Sequence, residues 1–236
     1  MRFNLKRKYL RLFESRAILY INLILHKCFK EKDLGSLNLN FSDKPSRQHI
    51  VQTIIDKKTY KSYLETGCRD DDLFSRINCD KKVGVDPISG GTLRIKSDNF
   101  FDKNTDKFDC VFIDGLHEYH QVKKDIINSL KYINENGIIL LHDCLPDNVF
   151  TQVIPRCKKN WNGDVWKSIV EFRANPEVDV YTCYADQGIG IIFKRKNRNL
   201  LKTDTKNFFN LKFKDYFYNY KTLMNVITFE ELLDLI

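Results

Sequence analysis

Two apolar runs in this chain finish in the same way. FDCVFIDGLHEY (108–119) passes from alternating apolar residues into Asp114-Gly115 and His117, and GIILLHDC (137–144) ends on His142-Asp143. Carboxylate and imidazole are among the costliest groups to place beside a core, so their recurrence at strand ends points to chemistry. Imidazole changes charge near neutral pH, which suits His117 and His142 to work as a general base beside Asp114. Asp114, His142 and Asp143 end neighbouring predicted strands and can converge on one divalent ion, Mg2+ or Mn2+. The imidazole in that set favours a softer metal than magnesium, which prefers oxygen.

Three other predicted strands also end on polar groups: Glu65-Thr66-Gly67-Cys68, Asp86-Pro87 and Ser97-Asp98. In an open parallel sheet, ligands bind beyond the carboxyl ends of the strands, where the strand order reverses. Asp86 closes a strand 21 residues after Glu65, the spacing at which an acid accepts hydrogen bonds from ribose hydroxyls. The first loop, ETGCRDDD (65–72), has one glycine and three consecutive aspartates. Those carboxylates suit a helix N-terminus but would repel a pyrophosphate. A cofactor with a ribose and no phosphate is expected, and S-adenosylmethionine, a cation, meets that description where a dinucleotide does not.

These endings need a sheet to hold them. KSYLETG (61–67), KKVGVDP (81–87), LRIKSD (93–98), FDCVFID (108–114) and GIILLHD (137–143) read as strands. VDVYTCY (178–184) and IGIIFK (189–194), with only ADQG between them, read as a hairpin. Helical spacing appears after Ser46, a predicted N-cap, at Ile50, Val51, Ile54 and Ile55, in DDLFSRI (71–77), at Tyr119, Val122, Ile126, Leu130 and Ile133, and in DVWKSIVEFR (164–173). The alternation predicts an α/β fold. It is a Rossmann-like, doubly wound, seven-stranded sheet, mainly parallel, with an antiparallel strand from the C-terminal hairpin. Asp164, Trp166 and Lys167 in the last helical segment are candidates to line an acceptor pocket.

The chain has 236 residues and a formal charge of +8, but the charge sits at its ends. Residues 1–30 carry eight Lys/Arg and one acid, residues 195–236 carry eight against five, and the 164 residues between them sum to −2. A basic groove around the site, and with it a nucleic-acid partner, is not expected. Seven scattered cysteines without a CxxC pair read as reduced thiols of a cytoplasmic protein. Residues 1–45 read as a basic amphipathic helix and linker, 46–194 as the cofactor-binding domain, and 195–236 as an aromatic-rich helical tail. The run AILYINLIL (17–25) is too short to span a bilayer, where about 20 residues are needed. It suits packing on the domain or on a second copy of the chain, or a peripheral contact of residues 1–30 with the anionic inner face of a membrane.

IDGLHEY (113–119) and LLHDC (140–144), together with the first loop and Asp86, resemble class I S-adenosylmethionine-dependent methyltransferases over roughly residues 46–194. The closest branch carries Asp-Gly-x-His-x-Tyr after the fourth strand and His-Asp after the fifth. WNGDVWKSIVEF (161–172) and DQGIGII (186–192) also look like that branch's segments. The resemblance implies that Glu65, Thr66, Gly67, Cys68, Asp86, Pro87 and Asp114 surround the cofactor, with Ser97 and Asp98 near its adenine. It implies an O-methyltransferase acting on a sugar, a glycan or a related small molecule, of the kind used in polysaccharide biosynthesis. Two other readings stay open: a nucleic-acid or protein methyltransferase, and a non-catalytic cofactor-binding scaffold. The first loop departs from the common E-x-G-x-x-x-G, because Asp71 stands where the second glycine is usual.

Overall fold

Every residue of strand β1 (Ser62–Thr66) is buried, as a strand with helices over both faces of its sheet must be. Its neighbours β2 (Lys81–Val85) and β3 (Phe108–Ile113) pair with it in parallel on either side. Strand β4 (Ile133–Leu141) then pairs in parallel with β3. Chain order therefore reverses between β1 and β3. The computed structural model describes residues 15–29 and 31–236.

Alternate residues of the strands feed two cores. Leu64, Val111, Ile139 and Leu141 pack on one face with Ile126 and with Trp166 and Ile169. Those residues belong to helices α4 (Tyr119–Tyr132) and α6 (Val165–Arg173). Tyr63, Cys110, Phe112, Ile138 and Leu140 pack on the other face against Ile50 and Ile54 of helix α2 (Arg47–Lys58). Ser46 caps α2 through its side chain, as expected from its position before the apolar stripe. Beyond β4, β5 (Asp179–Cys183) and β6 (Ile189–Phe193) form the predicted hairpin, and β6 inserts antiparallel beside β4.

The predicted seven-stranded, mainly parallel sheet is present, with the order β2-β1-β3-β4-β6-β5-β7. Two of its details differ from expectation. LRIKSD does not form a strand. Only Leu93 bridges Val85, because the chain from Asp86 curls back so that Thr92 and Leu93 both donate to the Gly84 carbonyl. Residues 97–101 are instead the short helix α3 (Ser97–Phe101). The seventh strand comes from the tail: β7 (Val226–Ile227) runs parallel to the outer edge of β5. The tail, expected to be helical, thus combines three short helices, α7 (Phe213–Phe217), α8 (Tyr220–Leu223) and α9 (Phe229–Leu235), with a strand. DDLFSRI makes only a single 3-10 turn at Phe74–Arg76, since Asp71 at φ 62° cannot belong to a right-handed helix. The remaining helices are α1 (Arg16–Phe29), before the domain, and α5 (Val149–Gln152), after β4.

Candidate active site

The reversal between β1 and β3 brings the predicted strand ends into one rim. Gly67 N–H donates to the Val85 carbonyl, Asp114 N–H to Thr66, and His142 N–H to Ile113, so the ladder continues across the tops of β2, β1, β3 and β4. The chains approach so closely that a Cβ on Gly67 would lie 2.1 Å from the Asp114 carbonyl oxygen. Only glycine fits there, and its φ of 89° is also one that other residues rarely adopt.

Asp114, His117 and Asp143 meet over the end of β3. His117 Nε2 lies 3.2 Å from Asp114 Oδ1 and its Nδ1 lies 2.9 Å from Asp143 Oδ2. One ligand atom from each of the three residues falls within 4.8 Å of the others, a span that one divalent ion can bridge. His142 was the expected third member of this set. Its Nδ1 is 3.4 Å from both carboxylates, but its side chain is only 3% exposed and its Nε2 is bound to Asp186 at 3.0 Å. His142 stands behind the cluster and His117 at its open side. A cavity of about 10 Å³ lies between Asp114, His117 and His142 over a floor of Ile113, Val122 and Val165, room for about one water or ion.

Four residues that the sequence reading did not single out complete the site. Arg47, the first residue of α2, places its guanidinium 3.6 Å from Asp114 and 3.3 Å from the His142 ring, while its backbone N–H donates to Asp186 at 2.6 Å. Asn162 donates to Asp143 Oδ1 at 2.9 Å, and Trp161 stacks on His117 with an interplanar angle of 4°. Arg47 carries no motif, and nothing in its local sequence marks it. Asp186 and the 161–162 pair lay inside segments already noted for their likeness to methyltransferases.

Three carboxylates, Asp114, Asp143 and Asp186, face two imidazoles and one guanidinium. Burial opposes charge on the three carboxylates and both rings, yet mutual attraction wins. Burial works to lower the pKa of His117, but its bonds to Asp114 and Asp143 raise it to about 10. The same contest lifts His142 well above its ordinary range. In return, the two rings hold Asp114 well below the usual carboxylate range and bring Asp143 down to about 2. His117 at φ 48° and Asp143 at φ 62° adopt backbone conformations that cost on the order of 1 kcal/mol each and persist only where the surroundings enforce them. Gly163 supplies that enforcement for His117, since a Cβ on it would lie 1.8 Å from the His117 carbonyl oxygen.

The other side of the rim carries Glu65 and Asp86. In the β1/β2 register Glu65 faces Gly84 and Thr66 faces Val85, so Asp86 follows directly beside Gly67. Burial raises Glu65 to about 7, partly offset by a 2.6 Å bond from the Tyr63 hydroxyl. Asp86 accepts the backbone N–H groups of Arg69, Ile88 and Ser89, which leaves one carboxylate lone pair open to a ligand. Thr66 Oγ1 is buried without a partner among the described residues, a donor and acceptor still available. Cys68 is buried and Pro87 exposed. Ser97 and Asp98 sit at the start of α3, where Gln121 donates to both of them and to Asp125.

Asp71 accounts for its own departure from the glycine pattern. It takes the left-handed backbone that glycine would supply, with φ 62°. Its Oδ1 accepts the Gly91 N–H at 2.6 Å, tying the first loop to the second. Aspartate tolerates this conformation better than most residues. Asp71→Gly should therefore cost less than about 1 kcal/mol in denaturant unfolding, whereas Asp71→Val should cost about 2 kcal/mol or more.

None of the proposed acceptor-lining trio lines the cavity, although the Asp164 N–H donates to the His117 carbonyl at 3.1 Å. Trp166 is fully buried, donates to Gln152 and packs on Tyr216. Lys167 donates to the Phe209 carbonyl. Asp164 accepts the Tyr119 N–H at 2.6 Å and so holds the start of α4. The apolar periodicity of α6 turns these side chains into packing and ties.

Residues 75–144 match the family Methyltransf_24, described as a methyltransferase domain. No curated protein sequence matches the chain. Among solved structures, cofactor-bound Rv0187 from MTB is similar over 68% of this chain and 85% of its own, with 11% identity and a TM-score of 0.50. SAH-bound PaMTH1 from Podospora anserina covers 66% and 83% of the two chains at 16% identity and a TM-score of 0.47. The SAH complex of an O-methyltransferase from Bacillus cereus covers 66% and 85% at 12% identity and 0.46. At these identities the likeness is one of fold. The chain is a Rossmann-like α/β protein with a methyltransferase domain match over residues 75–144, the stretch that contributes Asp86, Asp114, His117, His142 and Asp143 to the rim.

Proposed function

We propose that this protein is an S-adenosylmethionine-dependent O-methyltransferase whose acceptor is a hydroxyl of a sugar, a glycan or a related small molecule. The observation that carries this reading is the single rim on which Glu65 and Asp86 lie beside the cluster of Asp114, His117 and Asp143. The residues present fit the cofactor. Asp86 keeps a lone pair for a ribose hydroxyl, Thr66 keeps an unpartnered hydroxyl, and Glu65 offers a carboxylate to a cation. S-adenosylmethionine, when bound, supplies the methyl group on a sulfonium.

Asp114 and Asp143 would hold a divalent ion, which would supply positive charge toward an acceptor oxygen. Carboxylate oxygens suit Mg2+ or Mn2+. His117 would take the acceptor proton, because its side chain keeps 20% exposure at the site while that of His142, at 3%, is sealed behind it. Asp114 and Asp143 keep the ring in position and set its basicity. Asn162 and Arg47 hold those two carboxylates in turn.

Calorimetric titration of S-adenosylmethionine tests the cofactor assignment. Glu65 is half protonated near pH 7, and binding a cation beside it favours the ionised form. Affinity should therefore rise by up to about tenfold per pH unit below 7 and level off above it. Failure to bind in EDTA, Mg2+ and Mn2+ alike would remove the assignment.

A further inference from the structure

Helix α1 is oriented against its own amphipathicity. Its inward face carries Leu19, Asn22, Leu23 and His26. Two of these are polar, and both bond the chain beneath them: Asn22 donates to the Arg156 carbonyl at 2.8 Å, and His26 Nε2 lies 2.9 Å from the Pro155 carbonyl oxygen. The opposite face, at helical spacing, carries Ala17, Tyr20, Ile21, Ile24, Leu25 and Cys28, all exposed. Tyr20 is 64% exposed, Ile21 55%, Ile24 44% and Leu25 46%. A soluble helix hides such residues; here polar residues are spent on docking and apolar ones are turned outward.

Charge shows what covers this face. Arg16 and Lys27 flank the apolar stripe, and the sequence before the helix adds Arg2, Lys6, Arg7, Lys8 and Arg11 against the single acid Glu14. Pairing with a second copy of the chain would set two such segments against each other and leave their charge uncompensated. An anionic surface with an apolar interior satisfies both features at once. The helix is too short to cross a bilayer, and no described helix is long and apolar enough to do so. We propose that α1 lies in the plane of an anionic lipid surface, inserting Tyr20, Ile21, Ile24 and Leu25 below the headgroups. This inference does not depend on the methyl-transfer reading.

Co-sedimentation of the 236-residue chain with vesicles tests it. Binding to mixed phosphatidylglycerol and phosphatidylcholine should exceed binding to phosphatidylcholine alone by about tenfold or more and weaken as salt is raised. The double variant Ile21→Asp, Ile24→Asp should lose about tenfold or more of that binding with an unchanged circular dichroism spectrum, since neither side chain packs on the domain. A second variant with Lys6, Arg7, Lys8 and Arg11 changed to Gln should abolish the preference for anionic lipid. Absence of wild-type binding, or binding unaltered in both variants, would overturn the proposal. So would a wild-type dimer in light scattering that the double variant converts to a monomer, which would assign the face to a second copy.

Discussion

His117→Ala is expected to lower methyl-transfer turnover by about 10²–10⁴-fold, the range for loss of a positioned general base. Affinity for S-adenosylmethionine should change little, because His117 faces Asp143 and Trp161 and not the Glu65 end of the rim. The pH profile separates a base from a merely structural residue. With a chelator present, Asp114 and Asp143 hold the His117 proton up to about pH 10, so only a small neutral fraction exists at pH 7. Wild-type turnover should then rise about tenfold per pH unit from 7 towards 9, and the variant should show no such rise. In Mn2+ the wild-type profile should move to lower pH, because a cation on Asp114 and Asp143 weakens their hold on the proton. His142→Ala should differ in kind. It leaves buried Asp143 without one of its counter-charges, and unfolding free energy should fall by about 3 kcal/mol or more, where His117→Ala should cost less because that side chain, unlike His142, reaches solvent and water can take its place. Equal turnover in wild type and His117→Ala would show that the proton goes elsewhere.

Asp86→Ala is expected to weaken S-adenosylmethionine binding by about ten- to a hundredfold. One bond from a ribose hydroxyl to the open carboxylate lone pair, at roughly 1.5–3 kcal/mol, would supply that loss. The residue has a second task, since it gathers the N–H groups of Arg69, Ile88 and Ser89 and so shapes both loops around the rim. Asp86→Asn divides the two tasks. Its single carbonyl oxygen can keep the loop partly in place but offers a weaker acceptor to ribose, so binding should fall by about tenfold with little change in Tm. Calorimetry and thermal unfolding on both variants give the answer, and unaltered affinity in Asp86→Ala would exclude it as the ribose acid.

The parts of this molecule that were legible in the sequence are those governed by local periodicity. The apolar runs FDCVFI and GIILL, covered on both faces, and the stripe of Ile50, Val51, Ile54 and Ile55, covered on one, follow burial, and burial pattern is written along the chain. Glu65, Asp86, Asp114, His142 and Asp143 were legible as rim residues because strand ends in a parallel sheet have one fate. What was not legible depends on residues distant in sequence. Arg47 reaches Asp114 and His142 only because α2 starts beside the top of β4, and Asp186 binds His142 across 44 residues. Trp166 was misjudged for the same reason: a tryptophan in a suggestive motif and a tryptophan packed on Tyr216 look alike until the tail is placed. LRIKSD has strand-like composition, but a two-glycine loop just before it turns its start back onto Gly84.

The two residues of β7 have a significance greater than their length. They lie along the outer edge of β5, where Thr182 and Tyr184 donate to Asn225 and Ile227 and where Asn225 also caps the Val180 carbonyl. Arg173 secures the same tail segment through the carbonyls of Thr222 and Leu223. Without this cover, β5 would present a row of unpaired donors and acceptors flanked by Val180 and Tyr181, a template on which another extended chain can add. The tail thus covers an edge that would otherwise invite sheet-to-sheet pairing, and proteolytic loss of the residues after Asn219 is expected to promote self-association through the strands, read as growth in light scattering.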